Sequence, residues 1–173
     1  MVDLTSYISE LKSNRAVFKN LLQSFILENV KWKVSSEKWC ALEIVCHLLD
    51  EEKDDFRYRL QHLIETPQKK MPSIDPVAWV LNHEYMEQDF GTKVDAFLSE
   101  RSASILYLEK LDPSAAYWEN TYENNYFGLL KPVFFLTNWI AHDYLHIKQL
   151  TRLKYDLLAS KSECKIEYAG EWT

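Results

Sequence analysis

The stretch from Pro132 to Leu158 contains no glycine and no proline after its first residue, and apolar residues recur along it at steps of three and four. Such a stretch predicts one long helix, because a 3.6-residue period places those apolar side chains on one face. His142 and His146 lie on this predicted helix, four residues and therefore about 40° apart. Both imidazoles are expected to face the same way, along the apolar stripe.

Two histidines on a core-facing stripe need partners for their ring nitrogens, because burying a polar group without one costs kilocalories. A divalent metal would satisfy them, but a metal site needs at least three protein ligands. His47 is the candidate for the third ligand, because it lies among apolar residues in a second predicted helix and facing helices commonly build such sites. From spacing alone, hydrogen-bonded core histidines are an equal alternative. His62 lies about 22 Å further along the helix than His47 and cannot reach the same ion.

The composition indicates an all-α protein without a nucleic-acid or membrane partner. The 173 residues include only three glycines and five prolines, and no clear alternating strand pattern is present. The net charge of −6 gives no broad basic surface for phosphates or an anionic membrane. The most apolar window, Leu129 to Ala141, is too short to span a bilayer. The absence of a secretory signal and the odd number of cysteines, three, predict a cytoplasmic location.

Four amphipathic stretches predict the helices of a bundle. They run from Leu4 to Glu28 with Asp3 or Thr5 as N-cap, from a cap at Ser35 or Ser36 to about Ile64, from Gln88 or Thr92 to Leu111, and from Pro132 to Leu158. The second and third connections are long: Thr66 to Trp79 holds a possible short turn at Asp75-Pro76, and Asp112 to Gly128 is rich in aromatics. We therefore predict one domain over residues 1–173, a four-helix bundle with long crossover loops.

Four further residues are weaker candidates for roles at the site. Glu51 could support a metal ligand or act as general base, although a solvated glutamate in the charged block Asp50 to Asp55 is the simpler interpretation. Asp143 occupies the place of glutamate in His-Glu-x-x-His metalloproteases, which favours hydrolysis, but a surface charge or a contact to a ligand is more usual. Gln149 could bind substrate or cap a polar pocket. Arg101 could hold a substrate carboxylate, although a snorkelling or ion-paired arginine is the commoner case.

Two motifs together resemble the DinB/YfiT-like superfamily. They are Ala41 to Glu52 (ALEIVCHLLDEE) and Trp139 to Leu150 (WIAHDYLHIKQL), and the similarity extends over nearly the whole chain. The resemblance implies an up-up-down-down-type four-helix bundle that binds a divalent metal through His47, His142 and His146. Histidine-only ligation suits zinc, nickel, iron or manganese, and the sequence does not choose among them.

The resemblance implies an enzyme of one of two kinds. A metal with an open position could serve a hydrolase, or it could bind a low-molecular-weight thiol for S-transfer to an electrophile. The partner would then be a small-molecule substrate or thiol, walled in by the two long loops. The alternative is a non-catalytic, stress-associated bundle with a structural or vestigial metal that acts through protein partners. In either case we expect a homodimer.

Overall fold

The computed structural model describes residues 1–170 and residue 172, and helices dominate it. The helices are α1 (Leu4–Gln23), α2 (Ala41–Asp50), α3 (Tyr58–Glu65), α4 (Pro76–Asn82), α5 (Phe90–Leu108) and α6 (Pro132–Lys161). A π-helical segment, Glu51–Arg57, joins α2 to α3 without a break, and we call these three pieces together the α2–α3 arm. The bundle consists of α1, the α2–α3 arm, α5 and α6, which confirms the predicted all-α fold. In the part of the chain that the structure describes, no helix combines the length and apolar character needed to cross a membrane.

Aspartate caps set the start of three helices. The Asp3 carboxylate accepts the backbone N–H of Ser6 at the start of α1, and Asp89 accepts that of Thr92 at the start of α5. Asp75 likewise accepts the backbone N–H of Ala78, and Pro76 lies in the first turn. The short turn predicted at this position is therefore the start of the helix α4.

Two predicted boundaries in the first half of the chain are wrong. α1 ends at Gln23 rather than Glu28, and a single 3-10 turn follows at Leu27–Asn29. Neither Ser35 nor Ser36 caps the second helix, which begins only at Ala41. There the Glu43 carboxylate accepts the backbone N–H of Cys40 at 2.9 Å, and this contact replaces the expected serine cap.

The aromatic connection before α6 contains a β-hairpin that the sequence did not indicate. Its strands are β1 (Tyr122–Asn124) and β2 (Gly128–Leu130), which pair antiparallel with Tyr122 opposite Leu130. The Asn124 side-chain oxygen accepts the backbone N–H groups of both Tyr126 and Phe127 at 2.9 Å, and Gly128 takes a φ of +73°. Strands of three residues are too short for an alternating pattern to be recognised.

The helix directions differ from the up-up-down-down type. α1 and α6 run parallel, since Tyr7 contacts Thr137 near their starts (2.9 Å) and Lys154 contacts Ser24 further along both (2.7 Å). α5 runs opposite to α1, since Lys12 contacts Glu109 and Phe18 packs on Phe97. The α2–α3 arm runs opposite to α6, since the His47 ring lies near His146 and the Phe56 ring stacks on Trp139. The order is therefore up-down-down-up. Because the arm and α5 are parallel, the connection from Thr66 to Asp89 must return along the length of the bundle, which explains why it is long.

A buried polar layer separates two apolar clusters inside the bundle. One cluster contains Phe18, Phe97 and Leu150, and the other contains Leu11, Ile105 and Trp139. Each long helical unit places one polar side chain between the two clusters. These four residues, which we call the polar layer, are Asn14, Glu52, Arg101 and Asp143.

Candidate metal centre

Three imidazoles converge between the α2–α3 arm and α6. His47 is buried near the end of α2, and its Nε2 lies 3.2 Å from Nε2 of His142. His142 and His146 stand one turn apart on α6, with their Nε2 atoms 3.0 Å apart. One ring nitrogen from each residue can be chosen so that all three lie within 4.8 Å of one another. The structure thus brings together the three histidines that the sequence singled out, although they come from opposite halves of the chain.

Burial keeps these imidazoles neutral. It is the main cause that lowers the pKa of His47 to about 3 and that of His142 to about 2, and the neighbouring histidines add to both effects. The pKa of His146 is also lowered by burial, against the opposing influence of Gln149 and Asp143. Neutral imidazole is the form that binds metals, because its unprotonated nitrogen keeps a lone pair.

Gln149 fixes the orientation of one ring. Its side-chain oxygen lies 2.7 Å from Nδ1 of His146 and accepts the proton there, so Nε2 of His146 is left with its lone pair directed at the other two rings. Of the two roles predicted for Gln149, capping a polar group is therefore the one for which the structure supplies a contact.

The donor set fits a divalent cation. Two nitrogens bonded at about 2.0–2.1 Å to one tetrahedral ion stand about 3.3 Å apart, close to the two separations observed between Nε2 atoms. The lowered pKa values keep the imidazoles from taking up a second proton, so each ring retains one nitrogen with a lone pair. His47, His142 and His146 are therefore suited to hold one ion.

Gln149→Ala is expected to weaken divalent-metal binding about 10–100-fold, because the His146 ring loses the acceptor that sets its tautomer. Competition with a chromophoric chelator measures this affinity. Gln149→Glu keeps an acceptor next to Nδ1 and serves as the matched control, with binding near that of the parent protein. Unchanged affinity in Gln149→Ala would show that the contact does not orient the ring.

Two cavities border side chains that contact the histidines, although neither lining contains a histidine among the residues described in the structure. The larger, about 580 Å³, is lined by Trp39, whose ring centroid lies 4.8 Å from that of His47, and by Gln149. The smaller, about 330 Å³, is lined by Phe56, whose ring centroid lies 5.1 Å from that of His142. Both long loops reach only the smaller cavity, with Ile74 from the first loop and Phe127 from the second.

Glu51 lies beside the site and is buried, with only 5% of its surface exposed. The expectation that it belongs to a solvated face is wrong, because the π-helical segment packs it inside, next to Asp55. Its carboxylate stands 3.9 Å from Nδ1 of His47, beyond hydrogen-bond distance. Burial, followed by the charge of Asp55, raises the pKa of Glu51 to about 9. Because the positive charge of a bound cation would favour the carboxylate form, the role of Glu51 as general base stays a prediction.

Arg101 and Asp143 occupy the polar layer rather than a position open to substrate. The Arg101 guanidinium donates to both carboxylate oxygens of Asp143 at 2.7 Å and through Nε to Glu52 at 2.9 Å. Arg101 is 1% exposed and Asp143 is fully buried. The ion-paired interpretation of Arg101 matches this geometry. The surface-charge interpretation of Asp143 is wrong, and neither a carboxylate-binding arginine nor a water-activating aspartate is supported.

Two members of the polar layer, Asn14 and Glu52, were not predicted from the sequence. Asn14 donates to Asp143 at 3.1 Å, and Glu52 accepts the indole N–H of Trp139 at 2.8 Å. Both residues interrupt an apolar series at helical spacing: Leu11, Asn14 and Phe18 in α1, and Leu48, Glu52 and Phe56 in the α2–α3 arm. This interruption was the available signal, and the high charge of the surrounding block obscured it for Glu52.

Two buried histidines and one half-buried histidine lie between two long units of a helical bundle, and they define the class: a four-helix bundle with a candidate metal centre. The family model of the DinB superfamily matches residues 10–150, and the chain belongs to this superfamily. YfiT from Bacillus subtilis, a probable metal-dependent hydrolase with an unusual four-helix bundle topology, has a similar structure. Its TM-score is 0.77 at 14% identity, over 91% of this chain and 90% of YfiT.

A second structure shares the fold less closely. It is a DinB-like protein from Bacillus subtilis, with a TM-score of 0.57 at 15% identity, over 93% of this chain and 96% of that one. No curated protein matches the chain in sequence. At these identities the two structures establish the fold, and the family match establishes the membership.

Proposed function

We propose that this protein is a metal-dependent hydrolase whose divalent cation is held by His47, His142 and His146. The observation that carries the proposal is the number of ligands. In residues 1–170 and 172, the group of side chains able to hold an ion contains three histidines and no fourth ligand. Structural zinc sites are closed by four protein ligands, whereas catalytic sites keep a position for water or substrate.

The family and the fold support the same proposal. YfiT, which shares the fold, is described as a probable metal-dependent hydrolase. A cation bound by three neutral imidazoles keeps its full charge and supplies Lewis acidity towards water or a carbonyl oxygen. The donor set does not choose among zinc, nickel, iron and manganese.

Neighbouring side chains orient the three imidazoles and pack aromatic rings against them. Gln149 holds the His146 ring, while Trp39 and Phe56 pack against the rings of His47 and His142. The Phe56 ring in turn stacks on Trp139, with centroids 5.9 Å apart, so its position is set by the core. The two cavities beside these rings are the available places for a small substrate.

The test is turnover of ester and amide libraries by metal-reconstituted protein, with and without an added low-molecular-weight thiol. We expect metal-dependent hydrolysis without thiol, and a fall of about a thousandfold or more in His47→Ala, since Lewis-acid assistance is worth several kcal/mol. A thiol-dependent reaction would replace hydrolysis by S-transfer. A protein that holds its metal and turns over nothing would support a structural or vestigial site. Activity that survives in His47→Ala would exclude the proposed centre.

A further inference from the structure

The larger cavity beside the histidines carries an excess of positive charge. Among the described lining residues, three side chains are cationic, Lys38, Lys148 and Arg152, against one carboxylate, Asp156. Arg152 pairs with Asp156 at 2.8 Å, whereas among the residues that the structure describes neither lysine forms an ion pair. On a chain with a net charge of −6, this local excess favours a negatively charged ligand.

The rest of the cavity is largely apolar and aromatic. Trp39 and Trp172 both line it, and the Arg152 guanidinium lies 5.7 Å from the centroid of the Trp172 ring. A volume of about 580 Å³ is in the range of small-molecule sites, which combine apolar walls with a few polar groups. Trp39 and Gln149 belong to the cavity wall and also contact His47 and His146, so these two side chains connect the cavity to the candidate metal centre.

We propose that this cavity binds an organic anion, with its carboxylate or phosphate at Lys38 and Lys148 and its apolar body on Trp39. The assignment of this anion as the substrate class rests on the proposed function, but the binding itself does not. Charge-assisted contacts with ammonium groups supply the preference for an anion, and the tryptophan rings supply the preference for an apolar or aromatic body.

Calorimetric titration of the full chain with three related probes tests the proposal. The probes are 2-naphthoate, 2-naphthyl phosphate and the neutral 2-naphthylmethanol. We expect at least one anion to bind about tenfold or more tightly than the alcohol, with an affinity that falls as salt is added. The anion that binds with the higher affinity shows whether the cavity prefers a carboxylate or a phosphate group. Equal binding of all three probes, or no binding of any, would overturn the proposal.

Variants of one lysine provide the control for charge. Lys148→Gln is expected to weaken binding of the preferred anion about fivefold to tenfold and to leave the alcohol unaffected, while Lys148→Arg retains most of the affinity. Lys110→Gln removes an exposed lysine just beyond the end of α5, outside the cavity, and should change nothing. An anion affinity that is the same in Lys148→Gln as in the parent protein would contradict the assignment.

The same titrations separate this proposal from the proposed function. The titrations use protein from which a chelator has removed metal, so any binding they measure is independent of a metal. Anion-selective binding together with a lack of turnover would support anion binding in the cavity and contradict the proposed hydrolase function. Metal-dependent turnover without any preference for anions would support the hydrolase function and contradict anion binding in the cavity.

Discussion

Arg101→Met is expected to lower the free energy of unfolding by about 3–5 kcal/mol, because it leaves two carboxylates buried without their cation. Domains of ordinary size are stable by about 5–15 kcal/mol in total, so this loss is a large fraction of the stability. Arg101 reaches Asp143 through two nitrogens and Glu52 through a third, and all three side chains are almost fully buried. Solvent therefore cannot replace the lost partner.

Urea denaturation of Arg101→Met and of two further variants measures this effect. Arg101→Lys should also be destabilising, since one ammonium cannot reproduce the forked contact with Asp143. Arg152→Met removes an exposed arginine paired with Asp156 four residues later and should cost well under about 1 kcal/mol. If Arg101→Met were as mild as Arg152→Met, the polar layer would not contribute to stability in the way its geometry indicates.

A triple variant distinguishes a buried ion network from a packing effect. Arg101→Met combined with Glu52→Gln and Asp143→Leu removes the charges together, and it should recover much of the stability that Arg101→Met loses. Removing the arginine alone strands its partners, whereas removing all three charges leaves groups that the core tolerates better. A triple variant less stable than Arg101→Met would show that the shape of Arg101, rather than its charge, matters.

Helical periodicity predicted much of this structure because it reports which face of a helix is buried. The stripe along Pro132 to Leu158 placed His142 and His146 together, and the structure has them on one turn of α6. His47 was identifiable as a buried histidine, but periodicity does not say which helix it faces. The DinB resemblance provided that information, and the observed 3.2 Å contact between His47 and His142 agrees with it.

The polar layer and the π-helical segment could not be predicted in the same way. Asp143 interrupts a stripe, but its partner Arg101 lies on a helix that approaches only in the folded bundle. The local sequence does not mark the change from α- to π-helical hydrogen bonding at Glu51. Charge was a poor guide there, because Glu51 and Glu52 are buried while Lys53 beside them is exposed. The short hairpin and the start of α2 were missed because single side-chain-to-backbone contacts determine them.

Removing one imidazole from the centre should abolish metal binding without unfolding the protein. Purified without a chelating tag, the parent protein is expected to carry about one divalent ion per chain, and His142→Ala far less. At a free metal concentration of about 100 times its dissociation constant, the ion stabilises the parent by about 2.7 kcal/mol. For a chain of this size that shift corresponds to roughly 5–10 °C in Tm, and His142→Ala should lose it. Elemental analysis and thermal melts with and without chelator make the two measurements.

His83→Ala is the matched control, because His83 is a partly exposed histidine that pairs with Asp50 outside the triad. It should bind metal and gain stability as the parent does. The stricter comparison is between metal-free His142→Ala and the metal-free parent protein, both prepared with chelator. Without metal, the three neutral imidazoles share at most hydrogen bonds worth about 0.5–1.5 kcal/mol each, so His142→Ala should melt close to the chelated parent. The larger difference between them should emerge only when metal is added. Equal metal content in His142→Ala and the parent would show that the ion, if any, lies elsewhere.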